Sequence, residues 1–528
     1  MSSGSRGFRR PSQQVESHPS GSGTDHSESE ERTGARVLRG LTWSVLSGGV
    51  NRTISFLAQI GLGWLLAKED FGLYAIAVSV SAFAQALKDG GVRLLLIQRG
   101  LESFDNIVSS AFWLALASNL VAGVILGATA PIIADVYQQP QLVVILLFFA
   151  ISLPLSTVAS VLSAQLTLEL RFRTIAKIEI VSALLRYSLI IGLAAAGMGA
   201  LSFVIPLIAV AIYEGVANQR ATHQQPWHKW PHPPTWLPLL RQAKWILVGT
   251  LAAAIIGQMD YLVLGLMAPV ATVGIYFFAY QLSFQVINLL RLSIDKVLTP
   301  AFNRFRQSID LRDRALIQLS RGVATVGPCF LLLMAVAISP LESILWRGRW
   351  EVAVGSIQIF SFILPIELLG QSAVSPLLSA GKFKFWSGLM AVRGVGLGFA
   401  TVLAATVTKD VTTITAIIAT YWALTATAQT VLVLRALGSP PINYFRAAVR
   451  GLGIGWGTAF LVLAADQLVL RYVADLLRLL LECGAFLTLW AIATRMGNAP
   501  ALRDLAALSP PRMARIVSSV CRLESPHE

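Results

Sequence analysis

Windows of about 20 predominantly apolar residues, the length that carries a helix across a bilayer core, recur along nearly the whole of this chain. That recurrence constrains the fold more than any other feature. The chain has 528 residues, of which 55% are hydrophobic and 13% charged. Soluble domains carry about 25% charged residues, so the depletion agrees with the periodic apolar runs. The expected fold class is an all-α polytopic membrane protein.

The runs resolve into about fourteen transmembrane helices, joined mostly by short connections. The longest connection, WHKWPHPPTW and its flanks, lies between the sixth and seventh, where its prolines stop any helix. Residues 1 to 36 are rich in Ser, Gly, Glu and Arg with no apolar stretch. They read as a disordered tail, not a signal peptide, so an uncleaved first span begins near Trp43. Cytoplasmic loops are enriched in Lys and Arg. With the N-terminus in the cytoplasm, the only basic residues in outer connections are Lys68, Arg347, Arg349, Lys409 and Arg471. Both termini are therefore expected in the cytoplasm. The same distribution explains the net charge of +14 as topological, aided by anionic lipids, and argues against nucleic acid as a partner. Cys329, Cys483 and Cys521 are far apart with no histidine at ligand spacing, so neither a metal nor a disulfide is expected.

The chain also repeats itself. FGLYAIA (Phe71 to Ala77) recurs in pattern as VGIYFFA (Val273 to Ala279), LFFAISLP (Leu147 to Pro154) as QIFSFILP (Gln358 to Pro365), and LSA at 162–164 as LSA at 378–380. An even number of spans separates the copies, so they share one orientation, a plan used by transporters with a site between parallel repeats. Pro154 and Pro365 fall inside matched spans, where a missing N–H kinks a helix.

Four stretches carry a family resemblance: AKEDFGLYAIAVSVSAFAQALKDGGVRLLLIQR (67–99), MDYLVLGLMAPVATVGIYFFAYQL (259–282), KVLTPAFNRFRQ (296–307) and ILWRGRWEVAVGSIQIF (344–360). They resemble the polysaccharide exporters of the multidrug/oligosaccharidyl-lipid/polysaccharide superfamily, and within it the Wzx-type oligosaccharide flippases. The similarity covers about residues 40 to 440. It implies two parallel six-helix lobes plus two C-terminal helices around a central cavity. On that plan a cytoplasmic tail (1–36) precedes an N-lobe (37–219, spans one to six) and a cytoplasmic linker (220–242). A C-lobe (243–435, spans seven to twelve), spans thirteen and fourteen (436–495) and a second cytoplasmic tail (496–528) follow. The resemblance further implies alternating access in the bacterial cytoplasmic (inner) membrane. The implied cargo is an oligosaccharide on undecaprenyl pyrophosphate, with polysaccharide polymerase and glycosyltransferases as further partners.

An ionisable side chain within a span is costly, so it faces protein or water and marks a candidate site. Depth ranks the candidates at 1.5 Å of rise per residue. Arg52, twelve residues after Gly40, lies about 18 Å in, and Arg186, nine after Lys177, about 14 Å in. Both fall near the middle of a roughly 30 Å core. As cavity residues they offer planar guanidinium forks to a pyrophosphate or an acidic sugar; the other reading pairs each with a carboxylate or a backbone carbonyl to fix packing. Arg291, eighteen after Val273, lies about 27 Å in, at the cytoplasmic mouth, where Asp295 is its i,i+4 neighbour. Asp260 in the outer half and Glu367 near the cytoplasmic side are candidates for ion coupling; Asp260 serves equally as a structural partner for an arginine. Glu179 and Glu214, nearer the helix ends, snorkel or cap. Tyr74, Tyr276 and Tyr280 either stack on sugars or anchor the interface, the second being the expectation. The run NRFRQSIDLRDRALIQLSR reads as an interfacial amphipathic connector.

Two other functions compete. A peptidoglycan lipid-precursor flippase of the same superfamily has the same span count. An integral-membrane polysaccharide polymerase or ligase needs a sizeable outer loop, and no outer connection exceeds about a dozen residues on these boundaries. All six histidines lie in the tails or one cytoplasmic loop, so no intramembrane acid–base pair with His is available. No GxxxxGK[ST] loop is present. A non-enzymatic transporter with no cofactor is the expectation.

Overall fold

The computed structural model describes residues 23–101, 104–229, 236–304 and 309–501. Among the described residues all regular structure is helical. Seventeen α-helices follow in order: α1 (Gly23–Leu65), α2 (Lys68–Ala86), α3 (Val92–Arg99), α4 (Phe104–Val136), α5 (Gln141–Leu155), α6 (Thr157–Leu168), α7 (Phe172–Ala195), α8 (Ile205–Thr222), α9 (Trp236–Met267), α10 (Val270–Arg304), α11 (Ile309–Trp346), α12 (Glu351–Ser372), α13 (Val374–Ser379), α14 (Phe383–Val407), α15 (Val411–Leu437), α16 (Pro441–Leu468) and α17 (Asp475–Gly497). Ten helices among the described residues are long and apolar enough to cross a membrane, eleven counting the bent pair α5–α6 as one span. The chain is a multi-pass membrane protein.

Three boundaries differ from those read off the sequence. α1 begins at Gly23, so the expected tail boundary at residue 36 falls inside a helix, just after Glu28, Glu30, Glu31 and Arg32, which favour helix among weaker formers. The run read as an interfacial amphipathic connector forms, from Ile309 onward, the first turns of the long α11. Arg312 anchors it there by donating to the Leu437 carbonyl at 2.7 Å. Only one of the two matched prolines breaks its helix. α5 ends directly after Pro154, and α6 leaves it at 45°. Pro365 sits inside an unbroken α12; the break comes at Ala373, where Pro376 follows and withholds an N–H from the turn before it.

Helix ends follow local chemistry. Asp410 precedes α15 and accepts from both the N–H and the hydroxyl of Thr413 at 2.8 Å. Those two bonds, the side-chain one foremost, hold its carboxyl below the usual carboxylate range. Gly438, with φ +77°, closes the same helix in the left-handed conformation that glycine tolerates.

The helix pairings come in two sets of the same order. α1 packs on α7, as α9 packs on α14; α2 and α4 pack on α5, as α10 and α11 pack on α12; α7 packs on α8, as α14 packs on α15. α16 and α17 pack on each other and on α11. The two sets meet chiefly where α2 crosses α10. This crossing joins the two copies of the repeated motif through their glycines. A Cβ built on Gly274 would overlap the Lys68 carbonyl oxygen, and one on Gly72 the Val270 carbonyl oxygen. Only residues without a side chain let backbones approach so closely.

The end of the bundle at this crossing is tied further. The α11–α12 turn, WRGRW (346–350), reaches the last turn of α1. The Trp346 indole donates to the Ile60 carbonyl at 3.0 Å and the Trp350 indole to Gly63 at 2.9 Å. The Arg349 guanidinium donates to the carbonyls of Trp64 and, at 2.8 Å, Leu66. The carbonyls of Gly63, Trp64 and Leu66 end a helix and would otherwise lack partners. Glu342 receives the Trp350 N–H at 2.8 Å and holds the turn in shape. Phe278 stacks on Trp350 with ring centroids 3.9 Å apart, and Phe71 meets both rings edge-on.

Candidate functional site: two cavities flanking α10

Away from the tied end, the structure brings two of the expected residues together. Arg52 on α1 and Arg186 on α7 line one cavity of about 380 Å³, with Glu179, Glu214, Asn51 and Ser182. Glu179 and Glu214 also line an adjoining space of about 460 Å³ that carries Lys88 and Arg93. Among the described residues neither Arg52 nor Arg186 forms an ion pair. Arg52 reaches the Gln285 amide oxygen at 3.4 Å, a long contact. Arg186 Nε is buried with no hydrogen-bond partner, and the guanidinium lies 5.9 Å from the Tyr187 ring centroid. Packing does not account for that unsatisfied donor, since a buried N–H without a partner is costly. The Tyr187 hydroxyl and the Gln285 amide both donate to Ser55, at 2.8 and 2.9 Å, and hold the wall between the two arginines. Of the expected cappers, Glu179 accepts from the Ser47 hydroxyl at 3.0 Å.

Across α10 lies a second, smaller cavity of about 160 Å³, lined by Tyr280, Phe284, Glu367, Gln371, Arg393 and Trp422 among others. Phe284, on its wall, is the sequence neighbour of Gln285, which faces Arg52. Here the charge is neutralised. Glu367 on α12 pairs with Arg393 on α14 at 2.9 Å. The Gln371 amide donates to Glu367 at 2.9 Å, Arg393 also donates to Gln429, and the Tyr421 hydroxyl donates to the Arg393 carbonyl at 2.7 Å.

Asp260 lines neither cavity. It is 2% exposed, and it accepts from the Tyr276 hydroxyl and the Tyr261 N–H, both at 2.9 Å. Its side-chain partner is thus a tyrosine, not an arginine. Tyr276 is wholly buried, and Tyr74 stacks on Phe203 with centroids 4.2 Å apart. Interface anchoring therefore does not describe Tyr276. Arg291 sits on α10, but its side chain, like those of Asp295 and Lys296, lies outside the described residues.

Sequence reasoning missed four charged residues. Arg393 lies nine residues after Lys384, as Arg186 lies nine after Lys177, so the same depth count finds it. The others form a cluster apart from the cavities. Arg478 on α17 binds Asp466 on α16 at 2.7 Å and Glu482 at 2.9 Å, and donates to Ser339 on α11 at 3.1 Å.

Comparison with known proteins agrees with these features. A profile of polysaccharide biosynthesis proteins matches residues 62–355. The chain is 24% identical over 375 residues to the teichuronic acid biosynthesis protein TuaB of Bacillus subtilis, covering 69% of this chain and 76% of that one. It is 25% identical to the succinoglycan biosynthesis transport protein ExoT of Rhizobium meliloti, covering 60% of this chain and 64% of that protein's length. It is 20% identical to the lipopolysaccharide biosynthesis protein WzxC of Escherichia coli, covering 66% and 72%. The fold resembles the lipid II flippase MurJ in its inward closed conformation, with a TM-score of 0.66 and 10% identity over 86% of this chain and 99% of that one. With the profile spanning more than half its length, the chain belongs to the polysaccharide biosynthesis protein family.

Proposed function

We propose that this protein is a transporter that flips an oligosaccharide on undecaprenyl pyrophosphate from the cytoplasmic to the outer leaflet by alternating access. It would do so with fourteen spans, two six-helix lobes plus two helices, and both termini cytoplasmic. Glycosyltransferases supply its cargo and a polymerase consumes it. The observation that carries the proposal is the pair Arg52 and Arg186, which share a cavity, form no ion pair among the described residues and leave Arg186 Nε unsatisfied. A diphosphate supplies the missing acceptors, and guanidinium groups bind it through planar forks. Family membership and the names of TuaB, ExoT and WzxC favour a polysaccharide precursor as the cargo. The positive-inside distribution favours an orientation with the tied end outside, and on that orientation the cavities, away from the tied end, lie nearer the side where the lipid-linked sugar is made. Arg291 is kept as an entrance residue on the cytoplasmic side.

Of the two coupling candidates, Asp260 keeps that proposal, because among the described residues it forms no ion pair. Glu367 is balanced by Arg393 and belongs to the cavity wall. In proteoliposomes, Asp260→Asn should flip at a rate indifferent to an imposed proton or sodium gradient; a gradient response equal to wild type removes Asp260 from the coupling role.

The main test is deletion of the gene followed by extraction of lipid-linked intermediates. Repeat units should accumulate on the cytoplasmic leaflet while surface polysaccharide falls. Arg52→Ala and Arg186→Ala should each slow flipping about 10- to 100-fold, the loss of one or two hydrogen bonds to a charged group, with insertion unchanged. Full-rate export by the double variant would sink the site.

A further inference from the structure

The two cavities differ in chemistry, and the difference falls along the molecule that would be carried. The cavity of Arg52 and Arg186 is also lined by Glu179 and Glu214, but among the described residues its two guanidinium groups form no ion pair. The cavity across α10 offers no such unpaired guanidinium, because Glu367 pairs with Arg393 at 2.9 Å. Aromatic rings make up much of its wall. Tyr280 stacks on Phe284 with centroids 4.3 Å apart, and Trp422 meets both, at 5.6 and 6.1 Å. Glu367, Gln371 and Arg393 together present donors and acceptors to the same space. Ring faces for apolar C–H surface beside paired donors and acceptors for hydroxyls is the combination that a neutral sugar ring requires. A diphosphate or a uronic acid would bring its negative charge against Glu367 with no spare cation to receive it.

We propose that this second cavity is the glycan subsite, binding a neutral hexose or N-acetylhexosamine of the cargo while Arg52 and Arg186 hold the diphosphate. The assignment rests on the transport reading above and adds which lobe takes which end of the substrate. Geometry supports the division. Phe284 and Gln285 are adjacent on α10, the first lining the aromatic cavity and the second contacting Arg52. One helix thus separates the two chemistries, as a glycosidic link to a diphosphate separates them in the substrate.

The test uses the full chain in proteoliposomes with two probes, undecaprenyl pyrophosphate alone and undecaprenyl pyrophosphate bearing a neutral disaccharide. Trp422→Ala should slow flipping of the disaccharide lipid about tenfold while leaving the bare lipid near the wild-type rate, and Trp422→Phe should restore most of the loss. Gln371→Leu, which keeps the side-chain volume and removes the amide, should show the same selectivity. This second variant covers the case in which Trp422→Ala does not fold. Equal slowing of both lipids, or no slowing of either, in a variant that folds would overturn the subsite. A wild-type protein that moves neither lipid would overturn the transport reading, and the subsite with it.

Discussion

Arg186, Arg393 and Arg478 are three half-buried arginines with three different surroundings, and the surroundings decide what each does. Arg186 has an unsatisfied Nε and an open cavity. Arg393 is matched one-to-one by Glu367. Arg478 faces two carboxylates, of which Asp466 is 3% exposed and Glu482 fully buried. A buried pair gives little net stability against an apolar replacement of all its members, but removal of one partner strands the others. Arg478→Leu therefore leaves two carboxyl groups facing each other without a cation. It should destabilise the protein by about 3–5 kcal/mol, read as a lower unfolding midpoint in denaturant for the detergent-solubilised chain. A midpoint within error of wild type would mean that the cluster does not hold α16 and α17 to α11. Depth counting along the sequence located Arg52 and Arg186, because it asks only where a charge lies. It did not separate a free arginine from a paired one, since Glu367 and Arg393 lie 26 positions apart on different helices. No local spacing records that contact.

On the proposed alternating access, the motion falls to particular elements. The WRGRW turn donates three side chains to the end of α1, and the Gly72/Gly274 crossing brings α2 and α10 together beneath it. Opening this end means withdrawing all these donors together, so the turn behaves as a latch with a few discrete bonds. Arg349→Ala removes the guanidinium and leaves the Trp64 and Leu66 carbonyls to solvent. The tied end should then open more often. A cysteine introduced at Ala77, which is fully buried below the latch, in a background lacking Cys329, Cys483 and Cys521, should react severalfold faster with a membrane-impermeant maleimide applied from outside. An unchanged labelling rate would assign closure to the aromatic stack alone. The repeated FGLY and VGIY patterns were legible as copies, and the family resemblance ran through WRGRW. That the copies touch each other, and that the turn caps α1, depends on helix packing across some 200–290 positions of sequence. Apolar periodicity says which faces are buried but not which partner buries them.

At the scale of the molecule, the duplicated order of helix pairs argues for two units that each complete most of their own packing. Their mutual contacts run through α1, α2, α9, α10 and the α11–α12 turn. The connection between α8 and α9 is described up to residue 229. Its first part folds back on the N-terminal set, where Trp113 donates to the Lys229 carbonyl at 3.0 Å and Trp227 packs near Phe112 with centroids 6.1 Å apart. We expect the helix contacts between the two sets, rather than covalent continuity between 229 and 236, to hold the halves in register. On the proposed topology each half also begins in the cytoplasm and contains an even number of spans, so each can insert by itself under the positive-inside rule. A chain divided within 230–235 and co-expressed as two polypeptides should therefore copurify and restore polysaccharide export in a deletion strain. Adding Gly274→Ala to the second fragment should weaken that association, because the new methyl overlaps the Lys68 carbonyl at the main crossing and overpacking of this kind costs about 1–3 kcal/mol. Halves that insert but do not copurify would show that the linker, not the glycine crossing, sets the register of the two repeats.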